Sequence, residues 1–292
     1  MFSEKVEAPL QLIEDEITER AGVIFYIKRE DLTHEHISGN KWRKLKYNLR
    51  RAKELNYSTL LTFGGAYSNH ISATAYAAKK NGFNSIGIIR GEKYEDLNPT
   101  LSFAKENGME LHYISREDYR KKDSHDFIEN LQKSFGPFYL IPEGGANEPG
   151  VKGCEEIVDD IEIKFDYICC ACGTGTTMAG IIRKLKSQKA IGFSALKGGE
   201  FLESEIEKYT PKTENWTINT DYHFGGYAKT TTELTNFITN FEKVHHIHLE
   251  PIYTGKMIYG IYDLMQKGFF KKGETIIAIH TGGLQGNKGI RN

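Results

Sequence analysis

The 292-residue sequence carries almost no net charge: 38 lysines and arginines stand against 39 aspartates and glutamates, a formal −1. That balance gives no general electrostatic reason to expect nucleic acid or an anionic membrane as partner. No apolar run approaches the length that spans a bilayer. The first residues, Met1-Phe2-Ser3-Glu4-Lys5, lack both an apolar h-region and a small-residue cleavage site, so the expectation is a cytoplasmic protein. Cysteine is scarce, with Cys154, Cys169, Cys170 and Cys172 the only four. Cys169 and Cys172 make one C-x-x-C, but no second cysteine or histidine pair completes a zinc site. Their apolar surroundings, Tyr167 to Cys172, read as a buried strand in which cysteine acts as a small hydrophobe.

What is present is the composition of a globular protein, 39% apolar and 26% charged, which argues against disorder. The length suits one large domain or two modest ones. Apolar runs and amphipathic stretches alternate. Strands are expected at 59–63, 85–89, 110–114, 138–141, 167–172, 189–195 and 275–279. Helices are expected at 41–55, 68–80, 100–106, 124–134, after Pro149, and at 176–185, 230–241 and 257–267. In the first of these, Trp42, Leu45, Leu49, Ala52 and Leu55 recur at helical spacing. Arg43, Lys44, Lys46, Arg50, Arg51 and Lys53 occupy its other side and read as a solvated face. Alternating strands and helices imply βαβ units and open parallel sheets with helices on both faces. No linker or repeat is visible, so a second domain must be inserted into the first or packed closely on it.

Glycine marks where backbone turns sharply or approaches a ligand. Four stretches qualify: Ser38-Gly39-Asn40-Lys41, Gly64 to His70, Gly173-Thr174-Gly175-Thr176-Thr177, and Gly225-Gly226-Tyr227. Each lies at a strand end or a helix start, where open α/β sheets bind ligands. Gly173 to Thr177 joins a buried strand to a helix, so free amides and the helix dipole make an anion site. It matches neither a Walker loop nor a full G-x-G-x-x-G, and a monophosphate fits it better than a pyrophosphate. Lys41, following Gly39-Asn40 at a helix start, is the candidate nucleophile, since burial or a neighbouring cation frees a lysine amine. His245, His246 and His248 fall on an expected strand, with His246, His248 and Glu250 on one face. One short strand is a poor metal cage, and no metal is expected there or at His34 and His36.

The motifs, taken together, resemble one family. Lys28-Arg29-Glu30-Asp31-Leu32, Ser38 to Leu45, Gly64 to His70, Pro142-Glu143-Gly144-Gly145, Gly173 to Thr177, Gly225-Gly226-Tyr227, Glu250 to Lys256 and His280-Thr281-Gly282-Gly283 occur in the order found there. The sequence is thereby similar to the D-cysteine desulfhydrase and 1-aminocyclopropane-1-carboxylate (ACC) deaminase family of fold-type II pyridoxal-phosphate (PLP) enzymes. The resemblance implies the tryptophan synthase β architecture, two parallel-sheet α/β domains. Residues 1–44 and 139–292 would form the larger, PLP-binding domain, and 45–138 a smaller inserted one. It also implies a homodimer and a small amino-acid substrate.

Roles follow from the same resemblance. Lys41 would carry the cofactor as a Schiff base, and Asn69 would bond its phenolic oxygen. Ser68, Asn69 and His70 would hold the substrate carboxylate. Gly173, Thr174, Gly175, Thr176 and Thr177 would cradle the phosphate. Tyr253 would lie beside the pyridine ring, Tyr227 would be the second active-site tyrosine, and Thr254 would meet the pyridine nitrogen. Ser68 or Tyr253 could assist proton transfer. ACC deaminases have glutamate after the tyrosine and leucine at the position of Thr281. The threonines here point instead to α,β-elimination from D-cysteine, giving pyruvate, ammonia and sulfide. ACC deamination is the nearest alternative, followed by elimination from D-serine, β-chloro-D-alanine or a sulfonated amino acid. A nicotinamide dehydrogenase and a PLP carrier without turnover are the rivals of other classes. The stretch Gly283-Leu284-Gln285-Gly286-Asn287 departs from the family's usual sequence.

Overall fold

The computed structural model describes residues 8–37, 39–93 and 96–284. Ser38 and the Gln285–Asn287 part of the divergent stretch lie outside the described residues. Two strands open the chain, β1 (Leu10–Ile13) and β2 (Ile24–Lys28), paired antiparallel. The next four, β3 (Thr59–Gly65), β4 (Asn84–Arg90), β5 (Met109–Ile114) and β6 (Tyr139–Ile141), form a parallel sheet in the order β5-β4-β3-β6. The last four, β7 (Tyr167–Cys172), β8 (Lys189–Ser194), β9 (Trp216–Asn219) and β10 (Thr275–Ile279), rejoin the first pair. That larger sheet runs β1-β2-β10-β7-β8-β9 and is parallel except at its β1 edge.

Eleven helices lie between these strands among the described residues: α1 (Glu16–Ala21), α2 (Asn40–Glu54), α3 (Asn69–Lys80), α4 (Pro99–Glu106), α5 (Arg116–Tyr119), α6 (His125–Phe135), α7 (Glu148–Asp159), α8 (Thr176–Lys184), α9 (Phe201–Glu207), α10 (Thr232–His245) and α11 (Thr254–Gln266). The large sheet is buried on both faces, which is why its strands are apolar throughout rather than alternating. In β7, Cys169 and Ala171 join the core beneath α10 and α11, while Ile168, Cys170 and Cys172 join the one beneath α7 and α8. All four cysteines are buried free thiols, as the apolar reading of that strand expected. The small sheet divides likewise: Leu60 packs with α2 and α3, Leu61 and Phe63 with α6. No helix among the described residues is long and apolar enough to cross a membrane.

Two expectations fail. The segment of His245, His246 and His248 is no strand. α10 runs on to His245, and His246 ends it with φ 55 in the left-handed region. Nor is the basic side of α2 uniformly solvated. Arg43 and Lys44 are 3% and 2% exposed, whereas Arg50, Arg51 and Lys53 remain outside. Arg43 reaches both oxygens of Glu30 at 2.9 Å and Asp160 at 2.7 Å. A buried charge needs such partners, and these lie far off in sequence, where periodicity cannot see them. The network ties the start of α2 to α7 and to the turn at Glu30, and so fixes where Lys41 sits.

Candidate active site

The lysine loop is set by a close approach. Gly39 has φ 66, and a Cβ there would fall 1.9 Å from the carbonyl oxygen of Thr281, so no side chain fits. Its amide donates to Glu30 O at 2.8 Å, and the Asn40 amide to Thr281 O at 3.3 Å. The segment leaving β10 is thus pressed against the first turn of α2. Asn40 Nδ2 also donates to Thr177 Oγ1 at 2.9 Å, joining the start of α2 to the start of α8. Lys41 follows, enclosed but with a little surface left open. Burial, reinforced by the charge of Lys44 one turn on, pushes its amine down to about 7. A lysine at that value is substantially a free amine in neutral solution, as a nucleophile must be.

Beyond β7, Gly173, Thr174 and Gly175 turn the chain into α8. Gly175 takes φ 72, and the Thr174 and Thr176 hydroxyls lie 2.9 Å apart. Thr176 and Thr177 are buried. A Cβ at Gly175 would meet Ile206 of α9 at 2.8 Å, so α9, together with the backbone angle, is what requires glycine there. Lys44, which the sequence reading left on the solvated face, donates to Gly144 O at 3.2 Å. Gly144 in turn abuts Thr174, so a buried cation stands behind the turn. An amide-lined turn, hydroxyls and a lysine suit a phosphate.

A third element supplies the opposite wall. Ser68 caps α3 by accepting from the Ile71 amide at 3.3 Å, and Asn69 and His70 are the first helical residues. His70 Nε2 lies 2.9 Å from Thr62 Oγ1, which donates its own proton to Ile141 O at 2.8 Å. Thr62 can therefore only accept, which places the histidine proton on Nε2. Burial, then the charges of Lys41 and Lys44, push His70 well below its ordinary value, so it is neutral. Asn69 Oδ1 and His70 Nδ1 are buried without a hydrogen-bond partner among the described residues. Orphaned acceptors there call for a donor from a bound group, while the first amides of α3 offer donors to an anion.

Tyr253, Thr254 and Tyr227 stand beside the Gly173 turn. The Tyr253 ring lies against Gly173, where a Cβ would be 3.0 Å from its Cε1. It meets the Tyr227 ring edge-on, centroids 6.1 Å apart. Burial raises the pKa of both phenols, so both keep their protons near neutrality. Tyr227 is 46% exposed and forms the rim. Thr254 is fully buried, with Oγ1 3.1 Å from Glu250 Oε1. Glu250, which the sequence reading placed in a family motif and beside the histidines but gave no role, is a candidate site residue. It accepts from the amides of Ile252 at 2.7 Å and Tyr253 at 2.9 Å, and from Thr254, capping α11. Its place, four residues before a helix start, was the available signal. The three walls meet through Gly145, which touches Lys44 and His70, and through Gly283, which touches Asn69 and Glu250.

Set beside known proteins, residues 7–282 match the family model described as pyridoxal-phosphate dependent enzyme. The chain belongs to that PLP-dependent family. Within it, a Pyrococcus horikoshii relative provisionally named a 1-aminocyclopropane-1-carboxylate deaminase is 35% identical, over 96% of this chain and 90% of its own. The Arabidopsis thaliana bifunctional D-cysteine desulfhydrase/1-aminocyclopropane-1-carboxylate deaminase is 32% identical, over 91% of this chain and 73% of its own. A crystal structure of an ACC deaminase homologue superposes with a TM-score of 0.83 at 33% identity, covering 96% of this chain and 90% of that one. These place the chain in the ACC deaminase and D-cysteine desulfhydrase branch of the PLP family, with the fold-type II architecture of two parallel-sheet domains. The residues of the candidate site fit the cofactor: a largely free amine at Lys41 and an anion turn at 173–177.

Proposed function

We propose that this PLP enzyme acts as a D-cysteine desulfhydrase, converting D-cysteine and water into pyruvate, ammonia and hydrogen sulfide. Bound through Lys41, the cofactor supplies an electron sink for the charge left when the Cα proton departs. The chain's own groups do the rest. The amides and hydroxyls of Gly173 to Thr177, backed by Lys44, hold the phosphate. Ser68 Oγ and the first amides of α3, at Asn69 and His70, hold the substrate carboxylate. Lys41, once released, accepts the Cα proton, its amine being free near neutrality. Tyr253 and Tyr227 keep their phenolic protons, so either can protonate the departing sulfur.

The observation that carries the choice of substrate is Thr254. A neutral hydroxyl, already engaged with Glu250, stands where the ACC deaminases have glutamate. The Glu250 carboxylate is itself committed to the α11 amides. Without a carboxylate beside it, the pyridine nitrogen is less readily protonated and the ring is a weaker sink. A thiolate leaves readily and tolerates this, whereas opening a cyclopropane does not. Thr281 agrees. The names of the relatives favour ACC deamination, which is therefore the second reading.

The test has two stages. Borohydride reduction of the holoenzyme should add the cofactor's mass to the peptide of Lys41, and Lys41→Ala should lose the visible absorbance while remaining folded. Pyruvate and sulfide from D-cysteine should then form with a higher kcat/KM than ketobutyrate from ACC. The reverse order of those two constants would defeat the desulfhydrase reading.

A further inference from the structure

Lys256 is buried to 1% exposure, two residues into α11, and the hydrogen bonds it makes are all to backbone carbonyls. Its Nζ lies 2.8 Å from His223 O, 2.8 Å from Gly226 O and 3.4 Å from Ala195 O. An ammonium has three protons, and three carbonyls receive them. Ala195 directly follows β8, whereas His223 and Gly226 belong to the irregular segment between β9 and α10. That segment is strained. Phe224, Gly225, Gly226 and Ala228 all have positive φ, at 50, 91, 113 and 55 degrees, and two of them are not glycine. Such a conformation persists only where its surroundings hold it. What it delivers is Tyr227, set against Tyr253, the residue three before Lys256.

We infer that Ala195, His223 and Gly226 form a monovalent-cation site which the chain fills with its own Lys256 ammonium, making Lys256 the positioning residue for Tyr227. Three converging carbonyl oxygens match the three protons of an ammonium and supply part of the oxygen shell of a potassium ion. The lysine supplies the same charge tethered to α11, so Tyr227 and Tyr253 are fixed relative to one another through one helix. The enzyme therefore needs no added monovalent cation, and truncating Lys256 turns the cage into a site that takes one. The link to activity rests on the reading that Tyr227 serves the reaction, while the cage can be tested without it.

The test uses Lys256→Ala and Lys256→Met in the full chain. Hydrogen exchange of the amides at 223–228, in apoprotein and holoenzyme, should quicken in Lys256→Ala and slow again with potassium or methylammonium chloride. Choline chloride at equal ionic strength should have no effect. With D-cysteine, kcat should fall about 10–100-fold, the usual cost of losing a partner that orients a site residue, and recover with the same cations. The parent should show no cation dependence. Lys256→Met keeps the bulk and loses the charge, so it should exchange quickly and resist rescue. The inference fails if Lys256→Ala keeps the parent's protection without cations, or if no cation restores it. Should Lys256→Ala not fold, parent-like protection in Lys256→Met overturns it. Rescue of exchange without rescue of kcat would uphold the cage and count against the role given to Tyr227.

Discussion

Replacing Thr254 by glutamate would set a second carboxylate against Glu250 in a fully buried place. Thr254 Oγ1 already lies 3.1 Å from Glu250 Oε1, and burial raises the Glu250 pKa against the pull of its helix amides. Two unit charges about 4 Å apart repel by about 4 kcal/mol at an effective dielectric near 20. The protein can escape by keeping one carboxyl protonated. From an ordinary glutamate pKa near 4.3, that costs about 5 kcal/mol at pH 8 but only about 1 at pH 5. The cheaper escape sets the penalty, so it is about 4 kcal/mol at pH 8 and about 1 at pH 5. The sign is that of a carboxyl whose folded pKa is raised: stability is retained at low pH and lost as pH rises. At about 2 °C per kcal/mol for a chain of this size, Thr254→Glu should melt about 8 °C below the parent at pH 8 and about 2 °C below it at pH 5. Adding Glu250→Gln should recover most of the deficit at pH 8. Thermal melts at the two pH values decide the matter. Equal deficits at both, or no recovery with Glu250→Gln, would refute the reasoning. It follows that a shift toward ACC needs three changes, Thr254→Glu, Thr281→Leu and Glu250→Gln.

Three further outcomes are expected. Cofactor uptake by apoprotein should accelerate with pH through about 7 and then level off, as Lys41 loses its proton; a half-rise near 10 would show an ordinary lysine. The unfolded chain holds that proton to about 10.5, so the parent apoprotein should gain stability over Lys41→Met as pH rises above 7, by at most about 1.4 kcal/mol per unit. A pH-independent difference would contradict it. Thr177→Val leaves Asn40 Nδ2 without its acceptor and should cost about 1–3 kcal/mol in urea unfolding while weakening PLP binding; an unchanged midpoint would mean the α2–α8 link is slack.

The elements legible in the sequence were those whose pattern is local. The all-apolar run of β7 announced a strand buried on both faces, and three of the four glycine stretches fell at strand ends or helix starts, whereas Gly225-Gly226-Tyr227 lies in the irregular segment between β9 and α10. β1, β2 and β9, of four or five residues each, were not anticipated, although β6, of three, was. His245 to His248 misled because a left-handed residue at His246, rather than any alternation, ends α10. Of the candidate site, the glycine loops and Lys41 stood out in the sequence itself. Lys44 and Glu250 did not. What makes each a site residue is a partner supplied by tertiary structure, the Gly144 carbonyl for one and the first amides of α11 for the other.

The contact of Gly39 with Thr281 sets an order of assembly. Lys41 leaves the ribosome early, yet the backbone that shapes its loop is among the last segments made. β10 itself belongs in the middle of the large sheet, between β2 and β7. A nascent chain that has not yet released residues 275–281 has a sheet with a central gap and a lysine loop with nothing to lean on. On the role proposed for Lys41, capture of the cofactor would be reserved for chains whose synthesis has passed β10, and a truncated product would carry Lys41 without its supporting loop.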